Sequence, residues 1–148
     1  MNNKVALVML LVTVVAGVTI AQENRVSNSS LAVGSVRSIN TAQKYYAEHH
    51  PDRGYACDLT TLGPPPSGQR ESPDHAGLLT PELTDAGSKA GYKFSLRCDD
   101  KSSPQRTYLV EAVPVSGKDN AICSDQTAVI KVSEGGDVKK CRSNGTPL

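Results

Sequence analysis

The residues of this chain that are best suited to chemistry are its four cysteines, Cys57, Cys98, Cys123 and Cys141. They lie far apart, so the chain has no C-x-x-C pair of the kind that dithiol redox proteins and zinc knuckles use. An even number of widely spaced cysteines favours disulfide bonds, and four cysteines can form them in three pairings. We therefore expect these residues to stabilise a fold.

Two further groups of residues contain the side-chain types that bind metals. Residues 48–52 are Glu-His-His-Pro-Asp, and His75 follows in the next segment. Adjacent histidines at a helix end point in different directions, which favours a solvated helix terminus over a transition-metal site. The pairs at 99–100 and 119–120 offer oxygen atoms, but calcium takes about six to eight oxygens. Strand-connecting turns are the better interpretation of these pairs, and we expect no metal and no cofactor.

Serine-based catalysis has weak support in the sequence. A hydrolase needs a nucleophile, a base and oxyanion donors in defined positions. The segment Gly-Ser-Lys-Ala-Gly at 87–91 has its serine in the wrong position for a nucleophile elbow, and there is no S-x-x-K motif. We therefore predict no catalytic residues and a protein that is not an enzyme.

The N-terminal segment is typical of an export signal. Lys4 is followed by an uncharged run from Val5 to Ala21 that ends in small residues, which predicts a signal peptide over residues 1–21 with cleavage between Ala21 and Gln22. The run is also at the lower limit of the ~17–25 residues that span a bilayer, so a retained membrane anchor is the alternative. The chain would then contact the membrane only through residues 4–21.

Export agrees with the cysteine content, because disulfides form in oxidising compartments. We therefore expect an extracytoplasmic protein, periplasmic or secreted, with an inner-membrane-anchored form as the alternative. The formal net charge of the 148-residue chain is +1, and the chain has no Trp, one Phe and five Tyr. Neither a basic field nor a set of stacking residues is present, so we expect no nucleic-acid partner.

The pattern after the leader predicts one α+β domain over residues 22–148. Apolar residues recur at three- and four-residue steps from 22 to about 50, which predicts a long amphipathic helix that ends before Pro51. Residues 51–90 form a breaker-rich loop with a short helix near Thr80–Leu83. Residues 91–133 predict an antiparallel sheet of three or four strands, and 134–148 a polar tail. The helix must bury its apolar stripe on the sheet.

This order of elements suggests how the cysteines pair. Cys98 continues the buried face of the first predicted strand, and Cys57 follows the long helix. A 57–98 bond would tie the loop after the helix to the core, and a 123–141 bond would fix the tail. Each closed loop could contribute roughly 2–4 kcal/mol.

Short segments between residues 31 and 132 carry a family resemblance in both content and order. They are Leu-Ala-Val-Gly-Ser-Val-Arg-Ser-Ile-Asn-Thr-Ala-Gln at 31–43, Tyr-Tyr at 45–46, Gly-Tyr at 54–55, Asp-Leu at 58–59, Leu-Gly-Pro-Pro at 62–65, Ala-Gly-Leu at 76–78, Gly-Tyr-Lys-Phe at 91–94 and Asp-Gln-Thr-Ala-Val-Ile at 125–130. Together they resemble type IV pilin-like and type II secretion pseudopilin-like bacterial proteins. The resemblance implies a filament or secretion-system subunit with a head of helix and antiparallel sheet, and other pilin-like or secretion-system proteins as partners.

The N-terminus departs from the pattern of that family. A family leader ends in Gly and is followed by an apolar helix with an early Glu, whereas here the apolar run precedes Gly17 and residues 22–30 are polar. Two hypotheses therefore remain: a pilin-like structural component of a pilus or secretion system, or a soluble secreted or periplasmic binding module that reuses this head. In the second, the Pro-rich loop at 64–66 would be the contact surface.

Mass spectrometry of the non-reduced protein tests the cysteine pairing. Trypsin cuts between all four cysteines, so the peptides 54–70, 98–101, 119–131 and 141–142 each carry one of them. We expect 54–70 linked to 98–101 and 119–131 linked to 141–142, and both links absent after reduction. A link between the peptides of Cys57 and Cys123 would contradict the pairing.

Overall fold

A computed structural model describes residues 28–99 and 101–148. The predicted leader, and with it the cleavage site between Ala21 and Gln22, lies outside these residues. The long helix, α1, occupies residues 28–49 and ends just before Pro51, where the residue preceding a proline is pushed out of the helical region. Among the described residues, no helix combines the length and the apolar character required to cross a bilayer.

The sheet has six strands in the order β1-β2-β3-β4-β5-β6, and every neighbouring pair is antiparallel. The strands are β1 Ser88–Lys89, β2 Tyr92–Arg97, β3 Leu109–Pro114, β4 Ala121–Asp125, β5 Lys131–Ser133 and β6 Thr146–Pro147. The α+β class is confirmed. The predicted number of three or four strands is wrong, because β1 and β6 have only two residues each and give no period-two signal.

The predicted tail contains regular structure. A short 3₁₀ turn, Glu134–Gly136, leads into a further helix over Val138–Asn144, here numbered α4. Asp137 caps that helix by accepting hydrogen bonds from the backbone N–H groups of Lys139 and Lys140. The chain then adds β6 to the edge of the sheet, so residues 134–148 close the fold.

The segment between α1 and the sheet contains two one-turn helices, α2 Leu59–Leu62 and α3 Pro81–Thr84. Asp58 caps α2, and the leucines at both ends of α2 are buried. The backbone N–H groups of Leu78 and Leu79 both donate to the carbonyl of Leu62 at 2.9 Å. These contacts attach the long loop to the core.

The two faces of the sheet are covered differently. On the inner face, α1 packs on alternate residues of the central strands, and the buried cluster includes Ala32, Val36, Ile39, Tyr92, Phe94, Val110, Ala112 and Ile122. On the outer face, α4 covers a smaller cluster of Ala121, Cys123, Cys141 and the partly buried Val138. The inner face therefore supplies most of the apolar burial that stabilises the domain.

Polar side chains on the buried stripe of α1 hold the loops in register. Gln43 is fully buried, and its side-chain amide donates to the Ala56 carbonyl at 2.7 Å and accepts from the Ala56 N–H at 2.9 Å. Tyr108 donates to Asn40 at 2.9 Å, and Asn40 donates in turn to Ser124 at 2.9 Å. Burial raises the pKa of Tyr108 well above its ordinary value, so this hydroxyl remains a donor.

Two disulfides join elements that are distant in the sequence. Cys57, after α1, bonds to Cys98 at the end of β2, with 4.9 Å between their Cα atoms. Cys123 of β4 bonds to Cys141 of α4, with 6.1 Å between their Cα atoms. These are the two pairs that the order of elements suggested, and no described cysteine is free.

Replacing Gln43 tests the link between α1 and the loop. Gln43→Leu replaces the polar side chain with an apolar one of similar size, and it leaves the buried N–H and carbonyl of Ala56 without their partners on Gln43. We expect the free energy of unfolding to fall by about 3 kcal/mol, measured by urea denaturation. The control is Lys44→Leu at the next, exposed position, where a change within about 0.5 kcal/mol is expected. Equal effects would contradict a role for the Ala56 hydrogen bonds.

Candidate functional site

The outer face carries a charged cluster centred on Glu111 of β3. Only 6% of Glu111 is exposed. Arg97 donates from Nη1 to its Oε2 at 2.7 Å, and the Nε of Arg142 lies 3.3 Å from its Oε1. The second contact lacks hydrogen-bond geometry, so Oε1 has an ion pair but no hydrogen-bond donor. One buried carboxylate therefore faces two guanidinium groups.

Strand register and the Cys123–Cys141 bond bring these three residues together. Glu111 pairs directly with Cys123 of β4, and Arg97 of β2 lies diagonally across from Glu111. Arg142 follows Cys141 in α4, so the Cys123–Cys141 disulfide holds the Arg142 side chain above the cross-strand pair of Glu111 and Cys123. The three charged residues come from three separate regions of the sequence, and only the folded sheet makes them neighbours.

Electrostatics keep Arg97 charged in this setting. Burial lowers the pKa of the Arg97 guanidinium, but the attraction of Glu111 and Asp99 outweighs burial and leaves the pKa above its ordinary value. Asp99 accepts from the Nε of Arg97 at 3.2 Å. Arginine is effectively always protonated in proteins, so both guanidinium groups of the cluster keep their charge.

A pocket of about 320 Å³ opens beside this cluster, between α4, the ends of β3 and β4, and the turn that joins β4 to β5. We call it the outer-face pocket. Its lining residues are Asp99, Thr107, Tyr108, Leu109, Cys123, Ser124, Asp125, Gln126, Val129, Lys131 and Arg142. The volume is at the lower end of the range of about 300–1,000 Å³ that is typical of small-molecule sites.

The charges of the pocket differ in how far the fold already uses them. Asp125 accepts from the backbone N–H of Thr127 at 2.8 Å and from its hydroxyl at 2.6 Å, all on Oδ1. Asp99 likewise uses Oδ1 for Arg97. By contrast, the ammonium of Lys131 forms no ion pair with any residue that the structure describes. The pocket thus presents two oriented carboxylates and a free cation.

A second surface lies on the solvent side of α1. A groove of about 590 Å³ runs between α1 and the β4–β5 turn, with Tyr55 and Tyr108 among its lining residues. The two tyrosine rings meet edge to face, 4.8 Å apart. Lys44, Glu48 and Gln126 also line this groove, which we call the α1 groove.

Charged residues on the exposed side of α1 are separated by sign. Arg37 lies near the middle of the helix and Lys44 two turns further along, while Glu48 and Asp52 lie at or just beyond its C-terminus. All four are exposed, and within the described part of the chain none of them forms an ion pair. This surface therefore has charges that the domain itself does not use.

The histidines singled out in the sequence lie apart from both pockets. The ring of His49 stacks on Tyr45 with 3.8 Å between centroids, and His50 lies 4.6 Å from Tyr46. Across residues 28–99 and 101–148, no group of three His, Cys, Asp or Glu side chains could hold a metal ion. The remaining histidine, His75, lies in the loop and exchanges two backbone hydrogen bonds with Ser72.

The oxygen-rich pairs also separate. Asp99 lines the outer-face pocket, and its neighbour Asp100 lies outside the described residues. Asp119 accepts a hydrogen bond from the hydroxyl of Ser116 in the β3–β4 turn. The four predicted disulfide cysteines are brought together as two pairs, and Cys123 lines the pocket.

Sequence reasoning missed Glu111, Lys131 and Arg142. Glu111 stands among apolar residues in β3, flanked by Val110 and Ala112, and this position was the one available signal of a buried acid. Arg142 lies in the region predicted as a tail, so its helix was not expected.

Comparisons with known proteins give no further assignment. No protein-family model matches the chain, no curated protein matches it, and no solved structure is significantly similar. The function must therefore be argued from the residues and the geometry above.

Substitutions in the Glu111 cluster separate its buried member from its exposed member. Glu111→Gln removes the charge that both arginines face, and we expect the free energy of unfolding to fall by about 2 kcal/mol. The loss stays this small because the arginines are partly exposed and water can solvate them. Asp99→Asn should lower the free energy of unfolding by less than about 0.5 kcal/mol, since 60% of that side chain is exposed. Urea denaturation followed by circular dichroism measures both. Equal losses would contradict the central position of Glu111.

Proposed function

We propose that this chain is a non-enzymatic, extracytoplasmic structural protein of the pilin-like or pseudopilin-like type, acting as a component of a pilus or secretion system. The observation that carries the proposal is the packing of α1. One stripe of this helix is buried on an antiparallel sheet and the opposite stripe is left to solvent. That arrangement agrees with the head of helix and sheet that the sequence resemblance implies.

The exposed side of α1 supports a role in assembly. A surface whose charges lack partners within the domain can pair with complementary charges on another molecule, and such pairs favour correct encounters. Arg37 and Lys44 form a positive half of this surface, and Glu48 and Asp52 form a negative half. The neighbouring α1 groove adds a concave contact region with two tyrosines, a residue type enriched at protein interfaces.

The two disulfides support the extracytoplasmic location. Disulfides persist in the periplasm and outside the cell, while cytosolic reductants keep most thiols reduced. The core has few aromatic residues, so covalent links between the loop and β2 and between β4 and α4 compensate for limited apolar burial.

The alternative is a soluble secreted or periplasmic binding module that reuses the same head. The outer-face pocket is the observation that favours it. The mature N-terminus discriminates between the two hypotheses. An intact leader in the membrane fraction favours the anchored, pilin-like role, whereas a chain that starts at Gln22 has lost the apolar run and favours the soluble module.

In-cell photo-crosslinking tests whether the α1 surface contacts another protein. The photoreactive residue p-benzoylphenylalanine replaces Lys44 in the full chain, expressed in the bacterium that produces it. We expect a discrete covalent adduct containing this chain and either a second copy or a membrane-associated secretion protein, identified by mass spectrometry. The adduct should weaken in the double variant Arg37→Glu/Glu48→Lys, which changes the charge pattern around the probe.

The matched control places the same residue at Lys139, which is equally exposed but lies on α4 at the outer face. A covalent adduct with the probe at position 44, and no adduct with the probe at position 139, would support assembly through α1. Only monomer at position 44, with normal export and both disulfides formed, would contradict the structural role.

A further inference from the structure

We propose that the outer-face pocket binds a small zwitterion, namely a free α-amino acid with an apolar side chain. This inference goes beyond the proposed structural function and does not rest on it, because the pocket and the exposed side of α1 lie on different faces of the sheet. It rests on the separation of charge inside the pocket, on the apolar residues between the charges, and on the volume.

The charged residues that line the pocket lie in two neighbouring rows of the sheet, and each row holds charges of both signs. Lys131 pairs directly with Cys123, so its side chain belongs to the row of Cys123 and Glu111. Asp125 lies two residues further along β4, on the same face, which places it in the next row at a spacing of roughly 7 Å. Arg142 pairs with Glu111 of the first row, and Asp99, which follows β2, pairs with Arg97 of the second row. Because Glu111 and Arg97 already pair with Arg142 and Asp99, the lining charges that have no ion pair with another described residue are Lys131 and Asp125, and these two form opposite poles.

Two cations and two carboxylates make the lining electrically neutral overall. A simple anion would meet the repulsion of Asp99 and Asp125, and a simple cation that of Lys131 and Arg142. A zwitterion satisfies both poles at once: its carboxylate accepts from the ammonium and the guanidinium, and its ammonium donates to the Oδ2 atoms of the two aspartates. Hydrogen bonds of this charge-assisted kind are the strong ones.

The carboxylates are held in place before any ligand arrives. Thr127 fixes Oδ1 of Asp125 through its N–H and its hydroxyl, and Arg97 fixes Oδ1 of Asp99. Each carboxylate keeps its second oxygen for a new donor. Orientation of this kind lowers the ordering cost of binding.

Apolar groups supply the rest of the pocket. Leu109 and Val129 line the pocket, and so does Cys123, whose sulfur is bonded to Cys141 and therefore carries no thiol proton. A volume of about 320 Å³ accommodates an amino acid with a branched or aromatic side chain. The side chain of the ligand would replace water against these apolar residues.

Three matched probes test the inference on the purified chain with both disulfides formed. They are L-leucine, its methyl ester, which lacks the carboxylate charge, and N-acetyl-L-leucine, which lacks the ammonium. Isothermal titration calorimetry and backbone NMR shifts measure binding. We expect leucine to bind at the pocket and each blocked probe to bind at least roughly 10-fold more weakly, because each loses a charge-assisted contact.

Two variants assign the poles. Lys131→Gln should weaken leucine binding roughly 10-fold but should not weaken binding of the methyl ester, because the ester has no carboxylate to lose and no longer meets the repulsion of the lysine. Asp125→Asn should weaken leucine binding similarly but should not weaken binding of N-acetyl-leucine, which has no ammonium to lose. The amide oxygen of the new asparagine can still accept from Thr127. Lys139→Gln, an exposed change on α4 outside the pocket, should leave all three probes unaffected.

Dispersed NMR spectra establish that each variant is folded. If leucine causes no saturable shifts at the pocket, if both blocked probes bind as tightly as leucine, or if Lys131→Gln and Lys139→Gln have the same effect, the inference is wrong. The crosslinking result at α1 is independent of each of these outcomes, so failure of one proposal does not imply failure of the other.

Discussion

The packing of α1 against the inner face of the sheet determines where most other elements lie. Apolar burial drives this contact but has no direction, so on its own it would allow the helix to slide or rotate on the sheet. Gln43 and Asn40 remove that freedom. The Gln43 amide donates to the carbonyl of Ala56 and accepts from its N–H, and Asn40 connects Tyr108, just before β3, with Ser124 of β4. Because these groups are buried, each would be costly to leave unpaired, and the helix therefore has one position.

The outer face is covered by weaker means. It has α4, a helix of two turns, in place of the six turns of α1, and its apolar cluster is small. The Cys123–Cys141 bond and the pairing of Arg142 with Glu111 hold α4 there. Since α4 is short, it leaves one end of this face open, and the outer-face pocket occupies that end. Incomplete coverage is thus the physical reason that a pocket forms where the charges are.

Sequence patterns could predict the elements whose signal extends over many residues. The helix has a stripe over six turns, and β2 alternates buried and exposed residues along its length, so both were found. The β4–β5 connection shows the limit. The antiparallel sheet was predicted over residues 91–133, yet Ala128 adopts a left-handed conformation with φ of 58° as part of the turn at Asp125, and β5 begins only at Lys131. Turn geometry outweighed the apolar pattern there.

The candidate site was harder to predict than the fold, because its residues share no local pattern. Glu111, Lys131 and Arg142 meet through strand register and a disulfide, and both depend on the complete fold. Charged residues on strands and at helix ends are normally exposed to solvent, so each of these residues, taken alone, would be interpreted as an ordinary surface charge. The sequence shows which residues are charged, but it does not show how the folded sheet arranges those charges around the pocket.

The β4–β5 turn connects the two surfaces that the proposals use. Gln126 lines both the α1 groove and the outer-face pocket, and Tyr108 also lines both. Several hydrogen bonds fix this turn: Ser124 donates to the carbonyl of Val129, and Asp125 accepts from Thr127. A turn with so many internal bonds keeps its shape when one side is occupied, because any displacement would break buried or charge-assisted contacts. The turn therefore lies between the surface that we propose contacts a protein partner and the pocket that we propose binds a small molecule.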